Sequence, residues 1–313
     1  MSTHGLRLLG ALLISLTLGA CSAFNYTEAD SPLAQPSVPA LTPRPKVALV
    51  LGSGGPRGYA HIGVLKVLEE ACLDIDLMVG SSVGSLIGAF WAWGHDAPAL
   101  EAIARSGGPL TLFDVSPFAD RGWIHGQRLQ DFVNQRLGDA SLEQLPRRLI
   151  VVATRRADKQ PVFFSQGNAG VAVRASSAVP GVLSPVGIQG EEYEDADESL
   201  PVAVLAARQA GAQFVIAVDV SARAGKAPAD TPAAQLARDA KRRARIDPET
   251  QQADFLIHPD MDYAAAPSER YFKQAQVAGE VSARALLPGL LARLQQAQLS
   301  PTSSACRPSS PRS

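Results

Sequence analysis

The sequence predicts an α/β fold in which a mostly parallel β-sheet is covered by helices on both faces. After Lys46, strand-like apolar runs alternate with helical patterns, which is the element order of such sheets. The strand runs are continuously apolar rather than alternating, as expected for parallel strands that are buried on both faces. With 313 residues, 46% of them hydrophobic, the chain can also bury a sizeable core.

The individual elements follow from the same patterns. Apolar runs of strand length indicate strands, and apolar residues at three- and four-residue spacing indicate helices. The predicted elements are, in chain order, a strand in KVALVL, a helix over 57–70, a strand in IDLMVG, a helix in SVGSLIGAFWAWG, strands in RRLIVVATR, PVFFS and EEYE, a helix over 201–210, strands in AQFVIAVDV and DFLIH, and a helix over 267–298.

Residues 1–20 are predicted to be a lipoprotein signal peptide, with Cys21 as the lipidated residue. Arg7 precedes an apolar run over 8–18 that is too short to cross a bilayer as a mature helix. The sequence Leu-Gly-Ala before the cysteine resembles a bacterial lipobox, and Ser22 resembles the next residue of lipoproteins sorted to the outer membrane. We therefore expect a lipid-anchored protein of the cell envelope, in the outer membrane facing the periplasm if the source is Gram-negative.

One folded domain is predicted, over 45–298. Residues 21–44 are Pro-rich and indicate an extended tether, and residues 299–313 indicate a disordered tail.

A net charge of −1 provides no basic field for nucleic acid, and neither a metal-ligand spacing nor a cofactor motif is present. The basic run over 241–245 is interpreted as a solvated helix face, with a headgroup-binding patch as the alternative. The sequence does not indicate an oligomeric state.

A glycine-rich turn over 52–58, with the sequence GSGGPRG, follows the first predicted strand and leads into a helix. Such a turn directs several backbone N–H groups at one place, which favours an anion. A dinucleotide-binding fingerprint would need glycine where Arg57 stands, and a P-loop would need a lysine after the last glycine. The N–H groups around Gly54 and Gly55 are therefore expected to bind the oxyanion of an acyl transfer rather than a phosphate.

A second turn, Gly-Ser-Ser-Val-Gly over 80–84, directly follows the strand in IDLMVG. G-x-S-x-G between a strand and a helix is the pattern of a nucleophile elbow, in which a tight turn exposes the central serine at the edge of the sheet. Alone the pattern is weak, but here it stands one βα unit after the glycine turn. Ser82 is therefore the predicted nucleophile.

At these motifs the chain resembles bacterial patatin-like phospholipases. The resemblance is carried by LGSGGPRGYAHIGVLKVLEE, GSSVGSLIGA, RASSAVPGVLSPV and YEDADESLPVAVLAARQAGAQFVIAVDV, and it extends over most of 46–220. It implies a three-layer hydrolase fold and a Ser–Asp dyad that hydrolyses lipid acyl esters, as a phospholipase A or lysophospholipase, without a catalytic histidine. Ser82 would then be the nucleophile, and Gly54, Gly55 and Arg57 would belong to the oxyanion loop.

The resemblance selects Asp195 as the catalytic base, because Tyr193 stands two residues before it as in the family. Asp197 is the alternative, since Ala196 replaces the usual glycine and the segment before Pro201 is shorter than usual. A third interpretation is that this acidic stretch is a solvated loop without a catalytic role.

Two other functions remain open at this point. A Ser–Asp–His esterase would use Ser82, Asp219 and His258, whose chain order is that of α/β-hydrolases. A lipoprotein that binds lipid or a partner without catalysis would instead have an unreactive Ser82.

Overall fold

A computed structural model of the chain describes residues 25–223 and 225–299. Its centre is a sheet whose strand order is β1-β7-β8-β5-β4-β3-β9-β10, with β6 paired to β5 and β2 paired to β6. The strands are β1 (Asn25–Tyr26), β2 (Ala34–Gln35), β3 (Val47–Leu51), β4 (Leu77–Ser81), β5 (Arg148–Arg155), β6 (Pro161–Phe164), β7 (Val186–Ile188), β8 (Glu191–Glu194), β9 (Phe214–Val218) and β10 (Phe255–Ile257).

The middle of the sheet is parallel, as predicted. Strands β5, β4, β3, β9 and β10 are neighbours in this order and all run in the same direction. Antiparallel pairs occur around β6 and β8, on the side of the sheet that continues to β7 and β1. The carboxyl ends of the parallel strands, where both predicted turns lie, therefore meet at one edge.

Helices cover both faces of the sheet. They are α1 (Tyr59–Glu70), α2 (Val83–Trp93), α3 (Ala97–Ser106), α4 (Pro109–Leu112), α5 (Gln127–Leu137), α6 (Ala169–Ser176), α7 (Val204–Gln209), α8 (Ala233–Thr250) and α9 (Glu269–Gln296). Leu49 and Leu51 belong to the core shared with α1 and α2, whereas Ala48 and Val50 belong to the core shared with α7 and Ile246 of α8. Successive side chains of a strand point to opposite faces, so continuous apolar strands produce these two cores. The predicted three-layer architecture is confirmed.

The expectation of an extended tether over 21–44 is wrong for its described part, residues 25–44. Strand β1 pairs with β7, and β2 pairs with β6. Further along, the N–H of Val38 donates to Oε1 of Gln209 (2.9 Å), and Nη1 of Arg148 donates to the carbonyl of Pro43 (2.7 Å). Extended Pro-rich backbone has no internal hydrogen bonds, so its free groups can pair with sheet edges and neighbouring side chains.

Several predictions concern residues outside the described part of the chain. The signal peptide over 1–20, the lipidation site Cys21 and the tail beyond Leu299 all lie there. Leu299, predicted to begin that tail, instead belongs to the fold, because it is buried and its N–H donates to the carbonyl of Leu294 (3.0 Å). Within 25–223 and 225–299, no helix is long and apolar enough to cross a bilayer.

Candidate active site

The turn between β4 and α2 has the conformation of a nucleophile elbow. Ser82 has φ 53° and ψ −122°, a strained combination for a residue with a side chain. Gly80 and Gly84 allow this geometry because the strands and α2 approach closely there. A Cβ on Gly84 would lie 2.1 Å from the carbonyl oxygen of Leu51, and one on Gly80 would lie 2.5 Å from Cα of Ser85. The small residues of the motif are thus required by packing.

The elbow brings Ser82 into contact with Asp195. Oγ of Ser82 donates a hydrogen bond to Oδ2 of Asp195 (2.7 Å), and both residues are buried. Asp195 lies directly after β8, where its own N–H donates to the carbonyl of Ala178 (3.0 Å) and its carbonyl accepts from Oγ1 of Thr154 (2.8 Å). The carboxylate is therefore fixed by backbone contacts on both sides, and the structure brings these two predicted site residues together.

Burial raises the pKa of the Asp195 carboxyl from 3.8 to about 7. The N–H of Asp197, which donates to Oδ1 of Asp195 (2.8 Å), and the hydroxyl of Ser82 both act in the opposite direction, because they stabilise the ionised form. The negative charge of Asp197 raises the pKa further, whereas the positive charge of Arg242 lowers it. Asp195 is thus a carboxylate whose basicity is matched to neutral pH.

The glycine turn over 52–58 lies beside this pair. Gly55 has φ +53°, and the space around its Cα is open. The N–H groups of Gly54 and Gly55 have no hydrogen-bond acceptor among the residues that the structure describes. His61 supports the turn from α1, since its Nε2 donates to the carbonyl of Gly52 (2.8 Å). Two adjacent backbone donors are thus free to stabilise negative charge.

Arg57 of the same turn has a different environment. Its backbone N–H donates to the carbonyl of Gly54 (3.2 Å), so this donor closes the turn instead of pointing at the site. Its guanidinium donates to the carbonyl of Tyr263. Arg57 therefore connects the glycine turn to the segment before α9, and only its side chain faces the site.

Asp197, the alternative base, is engaged elsewhere. Its Oδ1 accepts from Nε of Arg242 (2.6 Å) and from the hydroxyl of Ser53. Nη2 of Arg242 also donates to the carbonyl of Ser53 (2.9 Å). The carboxylate of Asp197 thus holds the glycine turn and α8 together, while Ser82 contacts Asp195.

Arg242 is a site residue that sequence analysis missed. Its side chain is 19% exposed, and that of Arg243 is 23% exposed, so the interpretation of the basic run as a solvated face is wrong for these two. The run does lie on a helix, α8, but this helix packs against the edge where the site is. The one indication in the sequence that this helix face could be buried was the acidic segment after β8, whose carboxylates can pair with basic side chains.

Asp219 and His258, the residues of the alternative triad, lie together but do not contact Ser82. Asp219 is fully buried and accepts from Nη1 of Arg243 (2.8 Å) and from the N–H of Ser221 (2.8 Å), with Nδ1 of His258 at 3.7 Å. Burial alone would raise the pKa of the Asp219 carboxyl. The interactions with His258, Ser221 and Arg243 stabilise the ionised form more strongly, so that this pKa lies below its usual value. Nε2 of His258 donates to the carbonyl of Ser221 (3.0 Å). This cluster fixes the end of β9.

An apolar cavity of about 220 Å³ opens beside Ser82. Its walls come from the glycine turn, from α1 to α5, and from the start of α9. The residues include Tyr59, Leu86, Ile87, Phe90, Leu100, Ile103, Phe113, Phe132, Val179, Leu183 and Phe272. A hydrocarbon chain in this cavity would be removed from water along its length, which favours burial by about 0.8 kcal/mol per methylene group.

A second, polar cavity of about 780 Å³ meets the first at Ser82 and Gly55. It lies between the glycine turn, the acidic segment after β8 and helix α8. Four arginines and several carboxylates line it, namely Arg57, Arg223, Arg242, Arg243, Asp195, Asp197, Glu198, Asp239 and Asp247. The hydroxyl of Ser82 therefore lies at the boundary between an apolar and a charged compartment.

Comparisons with known proteins find a family match, sequence relatives and a structural neighbour of this chain. Residues 49–202 match the family model for patatin-like phospholipases. An uncharacterized NTE family protein of Mycobacterium tuberculosis is 38% identical over 185 residues, which cover 56% of this chain and 49% of that protein. The lysophospholipase NTE1 of Coccidioides immitis is 32% identical over 183 residues, which cover 56% of this chain and 12% of that protein.

The chain thus spans half or less of the length of these curated relatives. Among solved structures, VipD from Legionella pneumophila is similar with a TM-score of 0.49 and 12% identity, over 84% of this chain and 71% of that one. The family match covers the glycine turn, the elbow and the segment with Asp195. Residues 49–202 therefore form a patatin-like phospholipase domain.

Proposed function

We propose that this chain hydrolyses fatty-acyl esters of lipids, with Ser82 as nucleophile and Asp195 as general base. The observation that carries the proposal is the hydrogen bond of 2.7 Å from Oγ of Ser82 to Oδ2 of Asp195, at the mouth of an apolar cavity. A carboxylate can act as a base only where it is held in hydrogen-bond reach of the proton that it accepts. The match to the patatin-like phospholipase family supports a lipid ester as the substrate.

In the first half of the reaction, Oγ of Ser82 attacks the ester carbonyl carbon while its proton passes to Asp195. The carbonyl oxygen becomes an oxyanion, which the N–H groups of Gly54 and Gly55 stabilise. Collapse of this intermediate breaks the ester bond, and the leaving alcohol takes the proton from Asp195. The acyl group remains on Ser82.

In the second half, water attacks the acyl-enzyme and gives its proton to Asp195. A second oxyanion forms at the same two N–H groups and collapses to the free fatty acid. The proton of Asp195 returns to Oγ of Ser82, so the enzyme is regenerated without a metal or another cofactor. The strained backbone of Ser82 keeps its hydroxyl in one position through both halves.

The test is hydrolysis of a water-soluble acyl ester and of phospholipid by purified variants. Ser82→Ala should abolish turnover, and Asp195→Asn should lower it by roughly 10²–10⁴-fold without unfolding the protein. His258→Ala should stay close to wild type. If turnover is lost in His258→Ala but stays near normal in Asp195→Asn, the result would instead support the triad of Ser82, Asp219 and His258.

Asp197→Asn is the matched control for Asp195→Asn, because it changes the neighbouring carboxylate of the same segment. Since Asp197 contacts Arg242 and Ser53, its loss should reduce turnover less than the loss of Asp195. The reverse order would reassign the base to Asp197. Undiminished turnover in both variants and in His258→Ala would contradict the dyad. If Ser82 does not react with a serine-directed phosphonate, the result would favour a non-catalytic lipoprotein.

The chain is further proposed to be anchored in the cell envelope through acylated Cys21, facing the periplasm from the outer membrane if the source is Gram-negative. The support is the order of Arg7, the apolar run and Leu-Gly-Ala before the cysteine. Several acyl chains anchor a protein stably, whereas one gives only marginal binding. Cys21→Ser should abolish lipid labelling; unchanged labelling and fractionation would contradict the anchor.

A further inference from the structure

An apolar cluster is exposed on the loop between α4 and α5. Val115, Phe118 and Trp123 are 75%, 88% and 68% exposed, and the neighbouring Val179 and Val182 are 41% and 42% exposed. Single exposed apolar residues are ordinary, but two aromatic residues and three valines in one area are not. We refer to residues 115–123 as the rim loop.

The exposure of the rim loop is built into the fold. The N–H of Trp123 donates to the carbonyl of Val182 (2.9 Å), and its carbonyl accepts from the N–H of Ser116 (2.8 Å). The side chain of Asp114 closes the base of the loop by accepting from the N–H groups of Gly126 (2.7 Å) and Gln127 (3.0 Å). The backbone that carries the two aromatic side chains is therefore held in place by hydrogen bonds.

The rim loop continues the wall of the apolar cavity. Phe113, two residues before the rim loop, lines that cavity, as do Val179 and Leu183 on the segment that pairs with the loop at Trp123. Val179 also lines the polar cavity, so it stands where both compartments open. An apolar surface outside the molecule is thus adjacent to the apolar cavity that leads to Ser82.

The amino-terminal end of the described chain lies on the same side. Oη of Tyr26 in β1 donates to Oε1 of Gln127 (3.2 Å), four residues after Trp123. Cys21 stands four residues before Asn25, and four residues span at most about 14 Å when extended. With the proposed acyl groups on Cys21, the bilayer is held close to β1 and so to the rim loop.

We propose that the rim loop inserts Phe118 and Trp123 into the surface of a lipid bilayer, so that the mouth of the apolar cavity faces the membrane. The assignment of this cavity to the acyl chain of the substrate rests on the proposed function. Trp and Phe on an exposed apolar surface suit the headgroup boundary, where one side is apolar and the other is wet. The net charge of −1 gives the whole chain no attraction to anionic lipid, so apolar contact is the expected source of binding.

The test uses the full chain with Ser82→Ala and Cys21→Ser, so that neither hydrolysis nor acylation takes part. Phosphatidylcholine vesicles with brominated acyl chains quench tryptophan that enters the apolar layer. We expect quenching in this background and its loss in Trp123→Phe, which keeps an aromatic side chain but removes the reporter. The other two tryptophans should not respond, because Trp91 is buried in the core and Trp93 is half-buried and packed against it.

A second comparison uses Phe118→Ser against Val281→Ser, since Val281 is an exposed apolar residue of α9 (61%, against 88% for Phe118) that lies outside the rim loop. Phe118→Ser should weaken vesicle binding by about tenfold or more, in keeping with the loss of one buried aromatic side chain, and Val281→Ser should leave it unchanged. Circular dichroism checks that both variants are folded. Absent quenching, quenching that survives Trp123→Phe, or equal binding of the two serine variants would overturn the proposal.

These results are separable from the proposed function. In the Ser82-containing chain, Phe118→Ser should hydrolyse a water-soluble ester at the wild-type rate while losing activity on vesicles. An equal loss on both substrates would refute membrane docking. A wild-type chain that hydrolyses neither would refute the proposed function, and the quenching experiment would still decide whether the rim loop binds lipid.

Discussion

Replacing Asp195 by asparagine should stabilise the fold while it removes the proposed base. The pKa of this carboxyl is about 7 in the folded chain against an ordinary value of 3.8. Between these two pH values the folded carboxyl keeps its proton and the unfolded one loses it, so the folded state binds more protons. The free energy of unfolding therefore falls as pH rises through this window and becomes constant above about pH 7.

The magnitude follows from the width of the window. Each pKa unit corresponds to about 1.36 kcal/mol, so a shift of about three units costs the folded state about 4 kcal/mol at and above pH 7. Asparagine has nearly the same shape and does not ionise, so it avoids this cost. Its carboxamide can still accept from the N–H of Asp197, which now bonds Asp195 at 2.8 Å.

The assay is urea unfolding of the wild type and of Asp195→Asn, in steps of about one pH unit from about pH 4 to about pH 8.5. Relative to the wild type, the free energy of unfolding of Asp195→Asn should be little changed at the acid end and higher by up to about 4 kcal/mol near and above pH 7. Ser82→Ala is the control, because it also removes activity but keeps the buried carboxyl. A stability difference between Asp195→Asn and wild type that does not change with pH would refute the reasoning.

Three other outcomes are expected. The kcat/KM of the wild type should be half-maximal near pH 7 and about 100-fold lower at about pH 5, because Asp195 must be ionised to act as a base; a flat acid limb would contradict this. Gly84→Ala should destabilise the fold by several kcal/mol in urea unfolding, since its Cβ would lie 2.1 Å from the carbonyl oxygen of Leu51. The control Gly108→Ala has open space around the new Cβ and should cost less than about 1 kcal/mol. Equal losses of stability would argue against the close approach at Gly84. Arg174→Met should cost about 3 kcal/mol and make β1 more accessible to proteolysis, because the buried Arg174 donates to Oη of Tyr26 in β1 (2.9 Å) and to the carbonyl of His125 (2.7 Å); an unchanged digestion pattern would contradict this contribution of Arg174.

The elbow and the glycine turn could be predicted because their causes are local. Five apolar residues in β3 and three in β4 are each followed by glycine at fixed offsets, which indicates a buried strand and a turn whose neighbours approach closely. Asp195 was selected by the family resemblance, in which a tyrosine stands two residues before the aspartate, with Asp197 as the alternative. For the two turns, the residues that determine the geometry stand within a few positions of one another.

Arg242 and the amino-terminal strands could not be predicted for the opposite reason. Arg242 contacts Asp197, 45 residues away, and Ser53, 189 residues away, and the helical pattern of α8 does not say which surface covers its basic face. Strands β1 and β2 are two residues long, too short for an alternating pattern to show. Pro-rich composition indicates extended backbone, but whether that backbone pairs depends on a distant sheet edge.

The meeting of two unlike cavities at Ser82 has a consequence for the order of events in the proposed reaction. Once the acyl-enzyme has formed, its hydrocarbon chain fills the apolar cavity, and the released alcohol vacates the polar one. The charged side, past Arg57 and Arg242, is then the route by which we expect water to reach the acyl carbon. The alcohol product must therefore depart before the fatty acid is made, and any other small alcohol admitted by the same route would compete with water and receive the acyl group.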